Sequence, residues 1–317
     1  MKKFISIILT VIMLTSVLCS CSEKAEVSQG IQIVCTAFPQ YDFVKNILGS
    51  ENSITLLLDN GADLHSYEPT AQDIIKIGSA DMFVYVGGAS DSWVEGAIKS
   101  ANNPELKSVS LMDLVDTYDV EYIDGMEHSS HEAHDGDHSE EDEHIWLSLR
   151  NAVTITNELC NIICEIDNKN AENYKANTEQ YINSIENLDE EYKAVIESAK
   201  RKELLFADRF PFRYLTEDYN LGYYAAFAGC SSESEASFKT IAFLIDKTNE
   251  LKLPAIIIIE GTDGTEGSIA KTVSDATQAK ILTLDSCQSV SKADIENGTS
   301  YLGIMQNNLN VLMEALN

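Results

Sequence analysis

Residues 170–199 read NAENYKANTEQYINSIENLDEEYKAVIESA, and this stretch decides the fold. Its apolar or semi-apolar positions are Tyr174, Thr178, Tyr181, Ile185, Leu188, Tyr192, Val195 and Ala199, in steps alternating between four and three. That spacing lays one stripe along a helix of about eight turns. No Gly or Pro interrupts it. A repeat of about 3.5 residues also suits a coiled coil. Here, however, a single helix stands between two stretches of alternating strands and helices. The spacing therefore predicts a rigid connector whose stripe packs on both.

On the N-terminal side, strands are expected at Ile31–Cys35, Ser53–Leu58, Met82–Val86 and Lys107–Leu111. Between them fall helical spacings at Tyr41–Leu48, from Pro69 to about Gly78, and near Ser92–Lys99. Pro69 suits a first helical turn. On the C-terminal side the strands are Glu203–Ala207, Tyr223–Phe227, Ala255–Ile259 and Lys280–Leu284. The helices there are Phe212–Tyr219, a run to Leu251 starting within Ser231–Ser234, Ser268–Thr277 and Thr299–Leu316. Strands alternating with helices indicate an α/β chain with mostly parallel sheets. The expected organisation is an N-terminal lobe over 31–167, a connecting helix over 168–202 and a C-terminal lobe over 203–317.

Residues 1–20 read as a signal peptide: Lys2 and Lys3, then an apolar run from Phe4 to Leu18 that is short for a membrane span. The run ends Leu18-Cys19-Ser20-Cys21, which resembles a bacterial lipobox with lipid added at Cys21. Residues 21–30 then form a tether, so the protein is expected outside the cytoplasm, anchored to the cell membrane. Removing residues 1–20 takes away two of the 22 basic side chains and none of the 51 acidic ones. So acidic a chain argues against nucleic acid and against docking on anionic lipid. Beyond Cys21 the cysteines are Cys35, Cys160, Cys164, Cys230 and Cys287, with no CxxC. Cys160 and Cys164 read as packed thiols on a helix. A Cys230–Cys287 bridge is conceivable but has no support in the spacing.

Residues 124–144, DGMEHSSHEAHDGDHSEEDEH, hold His128, His131, His134, His138 and His144, five of the six histidines. Imidazoles among carboxylates attract divalent transition metals, and the absence of apolar periodicity marks the segment as a loop. The sixth histidine, His65, lies in the polar string NGADLHSYEPT (60–70). In open parallel sheets, ligands bind beyond the carboxyl ends of the strands. His65, His144, Asp208, Glu260 and Asp285 fall at or shortly after such ends, or on a connection at that edge, so a cleft between the lobes could gather them. Taken singly, a loop histidine or a strand-end aspartate carries no chemistry, and Asp285 could simply cap a turn. Together, two imidazoles with carboxylates would suit a four-coordinate zinc site or a larger manganese one.

The strings NGADLHSYEPT, SADMFVYVGG (79–88), SDSW (90–93) and EDEHIWLSLRNA (141–152) resemble the metal-binding solute-binding lipoproteins of zinc and manganese ABC importers. FPFRYL (210–215), SSESEASFKTI (231–241), AIIIIE (255–260), AKILTLD (279–285) and YLGIMQNNLNVLMEAL (301–316) extend the resemblance over residues 31–317. The acidic His-rich loop is similar to that of the zinc branch. The resemblance implies a two-lobed fold joined by one long helix, with zinc, or alternatively manganese, held in the cleft. It implies delivery of the metal to an ABC permease and its ATPase, by a monomer that is not an enzyme. Position by position, His65, His144 and Asp285 match metal ligands. The family's remaining ligand, His or Glu in a string like H-x-A-F-x-Y, falls on Arg209 here, which has no lone pair to give. Asp208 is the expected substitute; water, Glu260 or a loop histidine are alternatives. His128, His131, His134 and His138 would form an accessory collector of metal.

Other functions fit less well. Two His with a carboxylate also describe a catalytic zinc in an extracytoplasmic hydrolase, but the chain holds no HExxH or GxSxG string. A siderophore or cobalamin binder of related architecture would not place His65 and His144 as metal ligands. A surface adhesin on the same fold is untestable from the sequence.

Overall fold

Short runs rich in β-branched residues form the strands of the first half. The computed structural model describes residues 30–317 except 52, 62–63, 128–140, 230, 232–234, 263 and 266. In chain order the first half contains β1 (Ile33–Cys35), α1 (Phe38–Leu48), β2 (Ile54–Leu56), α2 (Ala71–Gly78), β3 (Met82–Tyr85), α3 (Val94–Ala101) and β4 (Lys107–Ser110). The strands pair in parallel in the order β2-β1-β3-β4. Helices α4 (Leu149–Ile166) and α5 (Ala171–Ser198) follow. The second half contains β5 (Glu203–Phe210), α6 (Arg213–Tyr219), β6 (Gly222–Ala228), α7 (Phe238–Leu251), β7 (Ala255–Ile259), α8 (Ile269–Thr277), β8 (Lys280–Leu284), α9 (Lys292–Glu296) and α10 (Tyr301–Ala315). Its sheet is also parallel, in the order β6-β5-β7-β8. The expected pair of α/β halves joined by one long helix is therefore the observed architecture.

Because helices cover both faces of each sheet, alternate strand residues enter different cores. Ile33, Cys35, Met82 and Val84 join a central cluster that also takes Phe206, Ile257 and Ile259 of the second sheet. Val34 and Phe83 face an outer cluster behind the first sheet. Leu205, Ile256 and Ile258 face another behind the second. The central cluster runs from one sheet to the other through the apolar stripe of α5.

That stripe holds as far as Tyr192, then shifts. Val195 and Ala199 pack partly buried against the core as expected, but Ile196 is buried more fully than Val195, and Ala199 lies past the helix end in extended backbone. A straight α-helix drifts about 20° per heptad against a 3.5-residue repeat, so after several turns the neighbouring residue faces the core. The drift shows an uncoiled helix. Helix α2 starts at Ala71, not Pro69, because Thr70 and Asp73 form a capping box just after the proline. Helix α7 starts at Phe238, capped by Ser237, later than the serines at 231–234 suggested. Cys35, Cys160, Cys164 and Cys287 are buried free thiols, with the Cys160 and Cys164 sulfurs 3.9 Å apart. The conceivable Cys230–Cys287 bridge involves residue 230, which, like the signal sequence and Cys21, lies outside the described residues.

One carboxylate joins the parts. Asp42 of α1 is buried, and its Oδ2 accepts hydrogen bonds from the Tyr181 hydroxyl of α5 at 3.1 Å and the Tyr301 main-chain N–H of α10 at 3.2 Å. Asn46 Nδ2 donates to the same oxygen at 3.2 Å. Farther along α5, the Tyr192 hydroxyl donates to the Met305 carbonyl of α10 at 2.6 Å. Burial raises the Asp42 carboxyl above its ordinary range. The folded state thus holds this proton more tightly than the unfolded chain, and stability falls as pH rises from the ordinary carboxylate range to the raised value. Two outcomes are expected from urea unfolding. Asp42→Ala, which orphans buried donors, loses about 2–4 kcal/mol. Asp42→Asn keeps most of the stability and flattens the decline with pH.

Candidate metal centre

His65 sits on a one-turn 3₁₀ helix, Leu64–Ser66, whose Leu64 plugs the core. Its Nδ1 is 2.7 Å from Ser90 Oγ and 3.7 Å from Glu143 Oε2. His144 is fully buried just before the turn Ile145–Leu147, with its Nδ1 2.8 Å from Asp142 Oδ1. Each ring therefore has a partner at Nδ1 and turns Nε2 toward the other, and the two Nε2 atoms are 3.3 Å apart. Nitrogens bound at about 2.0–2.1 Å to one tetrahedral ion stand about 3.3–3.4 Å apart. The pair already has the spacing of two ligands to one zinc.

The site is pinned from the second half of the chain. Trp146 Nε1 donates to the Ser286 carbonyl at 2.8 Å, and the Tyr301 hydroxyl donates to the Trp146 carbonyl at 2.6 Å. The Tyr214 hydroxyl donates to the Asp142 carbonyl at 2.7 Å. Gly229, just beyond β6, lies over the His144 ring: a Cβ there would stand 3.2 Å from His144 Cε1 and 2.7 Å from the Phe210 carbonyl oxygen.

Asp285 and Glu260 lie just past their strands, as expected, whereas Asp208 falls within β5, which runs on to Phe210 instead of stopping at Ala207; each of the three accepts hydrogen bonds. Asp285 follows β8; its Oδ1 accepts from Cys287 N–H at 2.8 Å, and Asn308 brackets its main chain through two hydrogen bonds. Glu260 follows β7 and accepts from the Ser286 N–H at 2.7 Å. Burial raises both carboxyls above their ordinary range, and for Glu260 the charge of Asp285 adds to the rise. Asp208 accepts from Arg209 N–H at 2.7 Å and Ile259 N–H at 3.0 Å. It lines a cavity of about 650 Å³ with Arg209, Glu235 and Ser268, whereas His65 lines another of about 540 Å³ with Tyr67, Ser90 and Trp93. Among the described residues, no three His, Cys, Asp or Glu side chains gather closely enough to hold a metal ion. His128, His131, His134 and His138 lie outside the described residues.

Sequence reasoning missed Ser90, Asp142 and Glu143. The string EDEH carried the signal, since consecutive carboxylates beside a candidate ligand are the usual partners of metal-bound imidazoles. It also missed how far residues 118–127 reach. Tyr118 N–H donates to Tyr214 Oη at 3.2 Å, Arg213 pairs with Glu121 at 2.5 Å, and Glu127 N–H donates to the Ala226 carbonyl at 2.9 Å. The approach to the His-rich loop is therefore docked on the second half of the chain.

A family model described as "Zinc-uptake complex component A periplasmic" matches residues 33–315. The high-affinity zinc uptake system protein ZnuA of Bacillus subtilis is 32% identical over 289 residues, covering 90% of this chain and 88% of that protein. The zinc-binding protein AdcA of Streptococcus pyogenes is 28% identical over 320 residues; the match covers 98% of this chain but spans only 61% of AdcA. The crystal structure of the Zn(II)-bound ZnuA-like domain of Streptococcus pneumoniae AdcA superposes with a TM-score of 0.72 at 25% identity, covering 90% of this chain and 99% of that domain.

The packing over His144 gives a stability test. Gly229→Val forces methyl groups toward the imidazole and the Phe210 carbonyl, and is expected to cost about 1–3 kcal/mol, read as a lower urea midpoint.

Proposed function

The chain belongs to the periplasmic zinc-uptake component A family, and from that membership we propose that it captures zinc outside the cytoplasm and delivers it to a membrane permease driven by an ATPase. Residues 1–20 act as the export signal, lipid on Cys21 anchors the protein, and residues 21–30 form the tether. The protein works as a monomer that binds and releases its cargo without turning over a substrate.

The observation that carries the reading is the Nε2···Nε2 separation of 3.3 Å between His65 and His144. It equals the edge of a tetrahedral zinc site with nitrogen ligands, at about 3.3–3.4 Å. Both Nδ1 atoms already have partners, so each ring can present a lone pair at Nε2. Asp285, with Asp208 in place of the family ligand replaced by Arg209, contributes oxygen from the second half; water or Glu260 fills any remaining position. These carboxylates already accept backbone hydrogen bonds, so the imidazole pair supplies the larger share of affinity. Manganese, which takes more oxygen ligands, binds more weakly. The His-rich loop gathers metal beside the site.

Calorimetric titration of the mature protein should show one tight zinc site. Sharing about 10–16 kcal/mol among four ligands gives about 3 kcal/mol each, so His65→Ala should weaken binding about 100-fold. Asp285→Ala and Asp208→Ala should weaken it less. Deleting residues 128–138 should slow metal capture and leave the affinity nearly unchanged. If His65→Ala bound zinc as tightly as the parent while the loop deletion abolished binding, the assigned site would be wrong.

A further inference from the structure

Glu143 stands out because its burial has no structural justification. The residue is 1% exposed. Oε1 accepts from the Ser90 N–H at 2.7 Å, while Oε2 is buried and has no hydrogen-bond partner among the described residues. A buried carboxylate oxygen without a donor is costly and calls for a reason. The main chain also makes room for this side chain. Gly88 has φ of 76°, and a Cβ there would come within 2.6 Å of Glu143 Oε1. The turn after β3 is thus shaped around the carboxylate. Oε2 faces His65, whose Nδ1 is 3.7 Å away.

We infer that Glu143, acting with Ser90, is the positioning residue that keeps the His65 proton on Nδ1 and so leaves Nε2 bare for metal. A neutral imidazole carries one N–H. At 2.7 Å, Ser90 Oγ accepts that proton on Nδ1, and the negative charge behind it favours the same tautomer. Without Glu143, the alternative tautomer would place the proton on Nε2, 3.3 Å from His144 Nε2. The two rings would then satisfy each other through one hydrogen bond and resist metal. Asp142 performs the same task for His144 through the contact of 2.8 Å at Nδ1. One tripeptide, Asp142-Glu143-His144, therefore supplies a ligand and the carboxylates that orient both imidazoles.

The inference rests on the proposed zinc site, but its first test needs no metal. Long-range ¹H–¹⁵N spectra of the metal-free protein, at about pH 8 where imidazole is neutral, report which nitrogen of His65 carries the proton. The parent should show Nδ1–H. Glu143→Gln should move the population toward Nε2–H and weaken zinc binding about 10–100-fold, with the melting temperature of the metal-free protein unchanged. Ser90→Ala should move the tautomer in the same direction with Glu143 intact. A Glu143→Gln protein with the parent's tautomer and affinity would overturn the inference, as would affinity falling only in step with melting temperature. A parent that failed to bind zinc would instead sink the zinc reading, and the tautomer measurement would still decide the role of Glu143.

Discussion

The buried carboxylate of Asp42 is the joint on which the rest of the structure depends. A single oxygen takes donors from α5 and α10 while its own helix, α1, packs on the first sheet. Burying a carboxylate costs free energy that hydrogen bonds must offset. This one is offset only when three elements from distant parts of the chain arrive together, so it rewards one arrangement of the two halves and penalises others. The Tyr301 whose N–H it holds also uses its hydroxyl to hold the Trp146 carbonyl, two residues from His144. The joint and the candidate metal centre therefore share a residue.

Much of the fold was legible because its signals are local. The alternation of strands with helices, the both-face burial of AIIII at 255–259, and the Tyr-rich stripe of 170–199 each follow from periodicity and composition. The errors were also local in kind. Ile196 was missed by extending a 3.5-residue count where a straight helix advances by about 3.6. Pro69 and the serines at 231–234 were competing start signals, and the structure chose the caps at Thr70 and Ser237.

Of the candidate centre, the structure brings together only the two nitrogen ligands that the sequence pointed to. His65 and His144 could be singled out because each lies in a string, NGADLHSYEPT and EDEHIWLSLRNA, that carries the family resemblance. That their Nε2 atoms meet while Ser90, Asp142 and Glu143 hold the opposite edges depends on side-chain directions across three loops, which no spacing in the chain encodes. Asp208 illustrates the reverse limit. The strand expected to stop before it runs on to Phe210, so Asp208 lies within β5; its oxygens serve the main chain at Arg209 and Ile259, and the cavity it lines is not the one beside His65.

The continuity of the central core bears on how a cargo could be exchanged. Hinging the sheets apart would pull open an apolar cluster that includes Ile33, Tyr181, Ile257 and Tyr301, and close-packed interiors do not deform by small degrees. Under the proposed function, exchange must then be local. The two imidazoles differ in the needed way: the His144 side chain is 0% exposed and wedged beneath Gly229, while that of His65 is 16% exposed on a single turn beside a cavity of about 540 Å³. Metal leaving such a site departs from His65 first and from His144 last. The His-rich segment lies next to this path in sequence, between an approach docked on the second half and an exit at Glu141–His144.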